Sequence, residues 1–306
     1  MKAMILRFRS FHIVTTILII CGLTVDSFGS DRFHDKIAEI VEAEARYDLF
    51  SGTVLVAKDG IIIYADAFGE ANKEYHIPNV LETKFNISSV QKTFIATLIM
   101  QLYQEGVIAL DDPLTKYYPE CPWMMAEQIQ IRYLLNHTSG LADYRDNEEY
   151  QSHLESYTCI DDVLPLVWRY EPAFIPGERF NYSNAGVLLL KGIIEKTTGK
   201  TLKQVLEERI WKLLGMDNTA LYVGGDSLDN RASAYSLAAD GESYERVMGE
   251  PSAYAGGGIY TTILDLLKFD QALYGEDLLS EANKKIMFTP VEASPHYACG
   301  WIVVEF

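Results

Sequence analysis

The chain has 306 residues, of which 48% are hydrophobic, and a formal net charge of −17. This length and hydrophobic content allow one or two domains with a large core. The strong negative charge argues against nucleic acid or an anionic membrane surface as a partner, but it does not restrict the fold.

The N-terminus has the pattern of a targeting segment. Its first residues are basic, residues 11–25 are mostly apolar, and Ser27 and Gly29 are small residues with the spacing of a cleavage site. This pattern predicts a secretory signal peptide over residues 1–29 and therefore export to the periplasm or the extracellular space. The alternative is a membrane anchor formed by residues 11–25, although this stretch is short for a membrane span.

The first predicted elements after this segment are a helix and a hairpin. Residues 31–47 are amphipathic and predict an α-helix. In residues 51–69, two runs of β-forming residues flank a Lys-Asp-Gly turn, which is a signal for a β-hairpin. The next run, ISSVQKTFIATLIMQLY, is apolar on nearly every side after Lys92, so we predict a buried helix over about residues 89–103.

The central part of the chain is predicted to be mainly helical. Further helices are predicted at residues 186–198, 202–214 and 261–274, and a strand is predicted at residues 297–306. The pattern predicts an α/β (α+β) fold in which an antiparallel sheet, formed from both ends of the chain, is flanked by helices. We assign one domain to residues 30–306, with a helical subdomain at about residues 105–250.

Ser89 and Lys92 stand at the start of the predicted buried helix. Side chains three residues apart on a helix are neighbours, with about 5–6 Å between their Cβ atoms. A lysine that is desolvated by apolar surroundings has a lowered pKa and can accept a proton from a serine hydroxyl. A serine on the first helical turn also lies where backbone N–H groups can stabilise an oxyanion. The pair is a candidate nucleophile and base, although the same spacing is common on helix surfaces.

A second motif, Tyr182-Ser183-Asn184, favours a catalytic role for Ser89 and Lys92 over an ordinary position on a helix surface. The chain contains a single S-x-x-K sequence, and of its 19 tyrosines only Tyr182 begins a Y-x-N sequence. A tyrosine near a lysine can act as a proton acceptor, and an asparagine two residues later can donate to a substrate carbonyl. The candidate catalytic residues are therefore Ser89, Lys92 and Tyr182. Asn184 is the candidate substrate-binding residue.

These motifs resemble those of the serine β-lactamase and D-Ala-D-Ala peptidase (penicillin-binding protein) superfamily, in particular its class C β-lactamase branch. The resemblance runs from about Phe50 to the C-terminus. It is carried by the segments FSGTVLVAKDG, KFNISSVQKTF, IRYLLNHTSGL, RFNYSNAGVLLL, AGGGIYTTILDLLKF and YACGWIVV. The resemblance implies a β-lactamase/transpeptidase-like fold.

The resemblance also implies acyl transfer. Ser89 would attack a carbonyl and form an acyl-enzyme, while Lys92 and Tyr182 would move the proton. Asn184 would bind the amide of the substrate. The implied function is that of a secreted serine hydrolase that acts on an amide or ester, such as a D-Ala-D-Ala-type peptide, a β-lactam or a small ester.

One motif of the family does not occur in the sequence. The family has a Lys-Thr-Gly or His-x-Gly motif on a strand that faces the serine, and this motif should follow YACGWIVV. The chain ends at Phe306 before such a motif, and Lys196-Thr-Thr-Gly199 has an extra residue and follows Tyr182 too closely. We therefore expect a chain that lacks the last strands and the last helix of the family. The alternative is a catalytically impaired, penicillin-recognising or wall-binding pseudoenzyme.

The sequence has no pattern for a metal or a cofactor. Its six histidines form no metal-binding pair, and its cysteines form neither a CxxC motif nor a disulfide framework. His137 lacks the surroundings of a nucleophile elbow and is predicted to be structural. We predict an enzyme without metal or cofactor that takes a small-molecule or peptidoglycan-peptide substrate and is not inserted into a membrane once its signal peptide is removed. The oligomeric state and the pairing of the cysteines stay open.

Overall fold

The structure is a computed structural model that describes residues 30–304, apart from residues 48–49, 154–155, 224–227, 239–243 and 247–257. The predicted signal peptide, residues 1–29, lies outside the described residues. The helices of the described part are α1 (Ser30–Arg46), α2 (Gln91–Gln104), α3 (Ile131–Leu135), α4 (Glu148–Ser152), α5 (Ile160–Val167), α6 (Asn184–Thr198), α7 (Leu202–Leu206), α8 (Lys212–Leu214), α9 (Ile263–Tyr274) and α10 (Glu281–Phe288). The strands are β1 (Gly52–Lys58), β2 (Ile61–Phe68), β3 (Glu70–Asn72), β4 (Ile77–Pro78), β5 (Phe85–Asn86), β6 (Ala220–Leu221), β7 (Tyr235–Leu237), β8 (Tyr244–Arg246) and β9 (Ile259–Thr261).

The described parts of Met1–Phe85 and Asn230–Met248 form one compact unit. Strands β1 and β2 make an antiparallel hairpin, and α1 packs against β2. The turn residues Asp59 and Gly60 both have positive φ, 52° and 76°. Two consecutive residues with positive φ are what a two-residue type I′ hairpin turn requires, and Asp-Gly is a favoured sequence for it. The predicted first helix and the predicted hairpin are thus confirmed.

The described parts of Asn86–Asp229 and Gly249–Phe306 form the second unit, and its core is built around two helices. Helix α2 is buried on every side from Gln91 to Leu102, and α6 is buried from Asn184 to Ile194. The two helices pack against each other. A helix that is apolar all round belongs in a core, so the sequence pattern explains both positions. The helices predicted at 89–103 and 186–198 are confirmed.

Glycine 192 allows a close approach within this core. The hydroxyl of Tyr118 donates to the backbone oxygen of Leu189 over a distance of 3.0 Å, which brings it directly over the backbone of Gly192. A Cβ atom at Gly192 would lie 1.9 Å from that hydroxyl and 3.2 Å from Cδ1 of Ile160. The absence of a side chain at this position is therefore required by the packing of α6.

A Gly192→Ala variant is expected to lose about 1–3 kcal/mol of unfolding free energy, because the new methyl group overpacks a rigid core and displaces the Tyr118 hydroxyl. Urea unfolding measures this loss. The loss should be smaller when Gly192→Ala is introduced into a Tyr118→Phe background, since the closest clashing atom is then absent. An equal loss in both backgrounds would show that the hydroxyl is not the obstacle.

The predicted C-terminal strand is wrong for the described residues 297–304. This segment forms a tight turn instead, with an isolated antiparallel bridge between Tyr297 and Ile302. The N–H of Ala298 donates to the oxygen of Trp301 over 2.8 Å, which closes the turn. The apolar run that suggested a strand therefore forms a short hairpin-like turn.

Packing against α2 explains why this turn forms. Gly300 has a φ of 79°, and its N–H donates to the oxygen of Leu135 over 3.1 Å. A Cβ atom at Gly300 would lie 2.8 Å from Cβ of Ala96 and 3.0 Å from the backbone oxygen of Lys92. Only glycine fits both the positive φ and this close approach. The C-terminal segment thus packs over the first helical turns of α2.

The other predicted helices are also present, and the architecture is mixed α/β as predicted. Residues 202–214 form α7, a π-helical turn and α8 in succession, and α9 covers most of 261–274. Among the described residues, no helix combines the length and the apolar character that a membrane span needs. The assignment of a helical subdomain to about residues 105–250 stays a prediction.

Candidate active site

Ser89 lies on an exposed turn that is held firmly in place. A 3₁₀ turn, Ser88–Val90, leads directly into α2, and Ser88 has a φ of 45°. The N–H of Ser88 donates to Oδ1 of Asn86, and the N–H of Ile87 donates to the oxygen of Ile259. A non-glycine residue with positive φ is strained and persists only where its surroundings fix it. The turn therefore presents Ser89 to solvent in one orientation.

The Lys92 ammonium lies directly beneath Ser89. Its Nζ donates to Oγ of Ser89 over 3.0 Å, and the side chain is only 4% exposed. Burial lowers the pKa of Lys92 from its usual 10.5 to about 8. The positive charge of Arg145 adds to this lowering, whereas the negative charge of Asp143 opposes it. At pH 7 roughly a tenth of Lys92 is thus the neutral amine, far more than a lysine with the usual pKa would supply.

The hydroxyl of Tyr182 completes a hydrogen-bonded group with Ser89 and Lys92. It lies 2.9 Å from Oγ of Ser89, and Nζ of Lys92 lies 5.0 Å from the centroid of its ring. Burial raises the pKa of Tyr182 above 10, although the hydrogen bond to Ser89 and the charge of Arg145 work in the opposite direction. The side chain is therefore a neutral phenol at neutral pH, and it can both donate and accept a proton.

The ring of His137 packs against the ring of Tyr182. The centroids of the two rings are 4.4 Å apart. Nδ1 of His137 accepts from the N–H of Ser183 over 3.3 Å, and Nε2 lies 3.2 Å from the hydroxyl of Tyr297. Burial, with a contribution from the charge of Lys92, lowers the pKa of His137 to about 3, so the ring is neutral. Since Nδ1 is an acceptor, the neutral ring carries its proton on Nε2 and donates to Tyr297. This buried position agrees with a structural role for His137.

Asn184 lies deeper than the other three predicted residues. It is the first residue of α6, is 5% exposed, and donates from Nδ2 to Oδ2 of Asp143 over 2.6 Å. The structure thus brings Ser89, Lys92 and Tyr182 together, and it places Asn184 next to Lys92 on the wall of a small cavity. Its contact with a substrate stays a prediction.

The sequence analysis missed several residues that surround this group. Asp143 and Arg145 belong to an irregular segment around a 3₁₀ turn, where no periodic pattern marks them. Lys191 lies on α6 and lines the same small cavity as Lys92. It could have been found, because it is a lysine within the apolar run GVLLLKGII. Among the residues that the structure describes, no group of three or more His, Cys, Asp or Glu side chains could hold a metal ion.

The chain belongs to the β-lactamase family. The family model described as Beta-lactamase matches residues 34–298. The chain is therefore a member of the serine β-lactamase and penicillin-binding protein superfamily, which is a superfamily of serine hydrolases. The predicted membership of this superfamily is confirmed.

Individual relatives agree with this family. Penicillin-binding protein 4* of Bacillus subtilis is 30% identical over 83% of this chain and 60% of its own length. Teichoic acid D-alanine hydrolase of Staphylococcus aureus is 25% identical over 87% of this chain and 62% of its own length. The chain thus spans about six tenths of the length of these curated relatives.

A solved structure confirms the predicted fold class. The crystal structure of a penicillin-binding protein from Bacillus halodurans superimposes with a TM-score of 0.76 and 28% sequence identity. The alignment covers 86% of this chain and 82% of that chain. The fold is therefore that of β-lactamases and penicillin-binding proteins.

Proposed function

We propose that the protein is an exported serine hydrolase that cleaves an amide or ester through an acyl-enzyme on Ser89. The observation that carries this proposal is the hydrogen-bonded group at the site. Oγ of Ser89 lies 3.0 Å from Nζ of Lys92 and 2.9 Å from the hydroxyl of Tyr182. A nucleophile within hydrogen-bond reach of a base with a lowered pKa is the arrangement that covalent catalysis requires.

In the first half of the proposed reaction, Oγ of Ser89 attacks the carbonyl carbon of the substrate and its proton moves to the neutral amine of Lys92. The negative charge that develops on the carbonyl oxygen is stabilised by backbone N–H groups at the site. The N–H groups of Val90 and Gln91 are not among them, because they donate to Ile87 and to Ser88 and Ser89. The bond to the amine or alcohol then breaks. The leaving group receives the proton from Lys92, with the Tyr182 hydroxyl as the relay between them.

In the second half, water attacks the acyl-enzyme ester. A proton of that water passes to the Tyr182–Lys92 pair, and Oγ of Ser89 leaves and recovers a proton from the same pair. The free enzyme and a carboxylic acid are the products. Because the same two groups serve both halves in reverse order, one site can complete the cycle without a further base.

The proposed substrates carry a D-alanyl amide or ester, or a β-lactam ring. Support comes from the two curated relatives, which are named as a penicillin-binding protein and as a hydrolase of D-alanine on teichoic acid. Export is proposed from the basic and apolar pattern of residues 1–29 and from the small residues Ser27 and Gly29 near the end of this segment. Asn184 is proposed to hold the substrate amide after a small movement that exposes its side chain.

Intact-mass measurement tests the proposal. The purified protein is incubated with a penicillin and, separately, with an activated ester of an N-acylated D-amino acid, beside Ser89→Ala. Ser152→Ala, at an exposed serine on α4, is the matched control. We expect the wild type and Ser152→Ala to gain the whole mass of the penicillin, because opening of the ring loses no atom. Ser89→Ala should gain no mass.

The outcomes separate the proposal from its alternative. Labelling followed by release of product and return to the free mass supports a hydrolase. Labelling that persists for every substrate supports a penicillin-recognising protein without turnover. Equal labelling of Ser89→Ala, or no labelling of a folded wild type, would overturn the assignment of Ser89 as nucleophile.

A further inference from the structure

Asp143 lies beside the first turn of α6, where Asn184 begins the helix. Nδ2 of Asn184 donates to Oδ2 of Asp143 over 2.6 Å, and Oγ of Ser183 donates to the backbone oxygen of Ala142 over 3.3 Å. Two consecutive residues of one segment thus contact two consecutive residues of the other. This double contact holds the Asp143 carboxylate at a fixed place next to the Asn184 amide.

Each oxygen of the Asp143 carboxylate has its own partner. Oδ1 accepts from the N–H of Arg145 over 3.1 Å and caps a 3₁₀ turn, whereas Oδ2 accepts from Asn184. A carboxylate has acceptors only, so the atom of Asn184 that faces it must be the amide nitrogen. A hydrogen bond to a charged group is also stronger than a neutral one. The carboxylate therefore determines which end of the amide faces it.

The surroundings on the other side of Asn184 favour the same orientation. Asn184 lines the small cavity that it shares with Lys92 and Lys191. The Nζ atom of each lysine is a hydrogen-bond donor in the structure. An amide oxygen complements such donors, whereas an amide nitrogen does not. With its nitrogen at the carboxylate, the amide has its oxygen turned away from the carboxylate and available to the lysine side.

The orientation of the amide matters for the substrate. An amide nitrogen carries two N–H groups, and the hydrogen bond to Asp143 uses one of those of Asn184. The other is the donor that the proposed function assigns to the amide carbonyl of the substrate. If the amide were turned by 180°, its oxygen would take the place of the nitrogen, and this donor would be lost.

We propose that Asp143 is a positioning residue that fixes the Asn184 amide with its nitrogen toward the substrate, and that it thereby makes the site select substrates with an amide carbonyl beside the reacting group. The inference rests on the proposed function, in which Asn184 binds that carbonyl. Asp143 acts through Asn184 and touches no substrate itself.

The first test compares two substrates in Asp143→Asn. One is an activated ester of N-acetyl-D-alanine, and the other is the same ester of propionic acid, which lacks the amide. The second-order rate constant for the first ester is expected to fall about 5–10-fold more than that for the second, which is the value of one hydrogen bond. Asp143 also raises the pKa of Lys92 through its charge, but this effect is common to both esters and cancels in their ratio.

Two further variants separate positioning from damage to the fold. An asparagine can still cap the Arg145 N–H with its oxygen, but it then presents its own N–H groups to Asn184 and favours the turned amide. Asp143→Ala loses the cap and leaves the amide free to adopt either orientation. We therefore expect the selectivity to fall more in Asp143→Asn than in Asp143→Ala, whereas the melting temperature falls more in Asp143→Ala. The opposite order of selectivities would overturn the inference.

Asp162→Asn is the matched control. Asp162 is an exposed carboxylate that accepts from the N–H groups of Thr158 and Cys159 at the start of α5. Its replacement should leave the ratio of the two esters at the wild-type value. In an Asn184→Ala background, Asp143→Asn should change this ratio no further, because the residue through which it acts is absent. An unchanged ratio in folded, active Asp143→Asn would also overturn the inference.

The second test observes the amide directly and needs no activity. Protein labelled with ¹⁵N at asparagine is studied by NMR, and the side-chain signals of Asn184 are assigned by their loss in Asn184→Ala. In the wild type, one of its amide protons is expected to be shifted downfield and protected from exchange, and Asp143→Asn should abolish both effects. An Asn184 signal that is the same in Asp143→Asn would refute the inference. Absence of Ser89-dependent cleavage of either ester would refute the proposed function, and the amide signal would still decide whether Asp143 orients Asn184.

Discussion

A Lys92→Met variant is expected to acylate Ser89 about 10³-fold more slowly than the wild type at pH 8. Methionine keeps the length and the apolar stem of the side chain but has no amine that could accept the Ser89 proton across the 3.0 Å hydrogen bond. A general base held in this geometry contributes about 10²–10⁴-fold to a reaction rate. The second-order rate constant for labelling by an activated ester measures the effect.

The pH dependence provides a second part of the same prediction. Because burial lowers the pKa of Lys92 to about 8, the neutral amine becomes about tenfold scarcer for each pH unit well below that value. The wild-type rate should therefore rise with pH and level off above about pH 8, and this limb should be absent in Lys92→Met. Lys285→Met, at an exposed lysine on α10, is the control and should keep both rate and limb. A Lys92→Met rate within tenfold of the wild type would mean that another group is the base.

Local signals explain which parts of the fold could be predicted. The apolar runs of α2 and α6 are buried on all sides, so their composition alone marks them as core helices. The Asp59-Gly60 turn is specified by two residues that tolerate positive φ. In these elements the conformation is specified by residues that are close together in the chain, so it can be predicted from a short stretch of sequence.

The segment 297–304 could not be predicted in the same way. A short apolar run fits a strand and a packed turn equally well, and the difference is made by distant contacts. Gly300 packs against Ala96 and donates to the backbone of Leu135, which is far away in sequence. Tertiary packing therefore decides the conformation, and no local pattern reports it.

The site shows the same division between local and distant information. Ser89 and Lys92 are three residues apart on one helical segment, so their contact follows from helix geometry. Tyr182 is 93 residues away from Ser89, so no local geometry joins it to the pair, and only its Y-x-N motif and the family resemblance did so before the structure. Asp143 and Arg145 lie in an irregular segment, where spacing carries no information about what a side chain faces.

Lys191 is a buried residue that could have been singled out from the sequence but was not. The signal that singled out Lys92 was a lysine at the edge of an apolar helix, and Lys191 is a lysine in the middle of one. Both are buried, and both line the cavity behind the site. A buried lysine that carries a desolvation cost is a candidate for function wherever it occurs, because its pKa must change.

A Tyr182→Phe variant is expected to lower the acylation rate about 10²-fold without loss of fold. The variant removes the hydroxyl that lies 2.9 Å from Oγ of Ser89, while the ring that packs against His137 stays. The proton must then reach the leaving group from Lys92 without the relay, and a lost proton-transfer group costs about 10²–10⁴-fold. Labelling kinetics measure the rate, and a thermal melt measures the fold.

Tyr170→Phe and a double variant make this prediction specific. Tyr170 is 42% exposed, compared with 39% for Tyr182, and its hydroxyl accepts from Asn147, so Tyr170→Phe should keep the wild-type rate. If Tyr182 and Lys92 handle the same proton, Tyr182→Phe should cost little more in a Lys92→Met background, because residues that act as a unit are not additive. A fully additive loss would mean that the tyrosine acts independently of the lysine, for instance by binding the substrate.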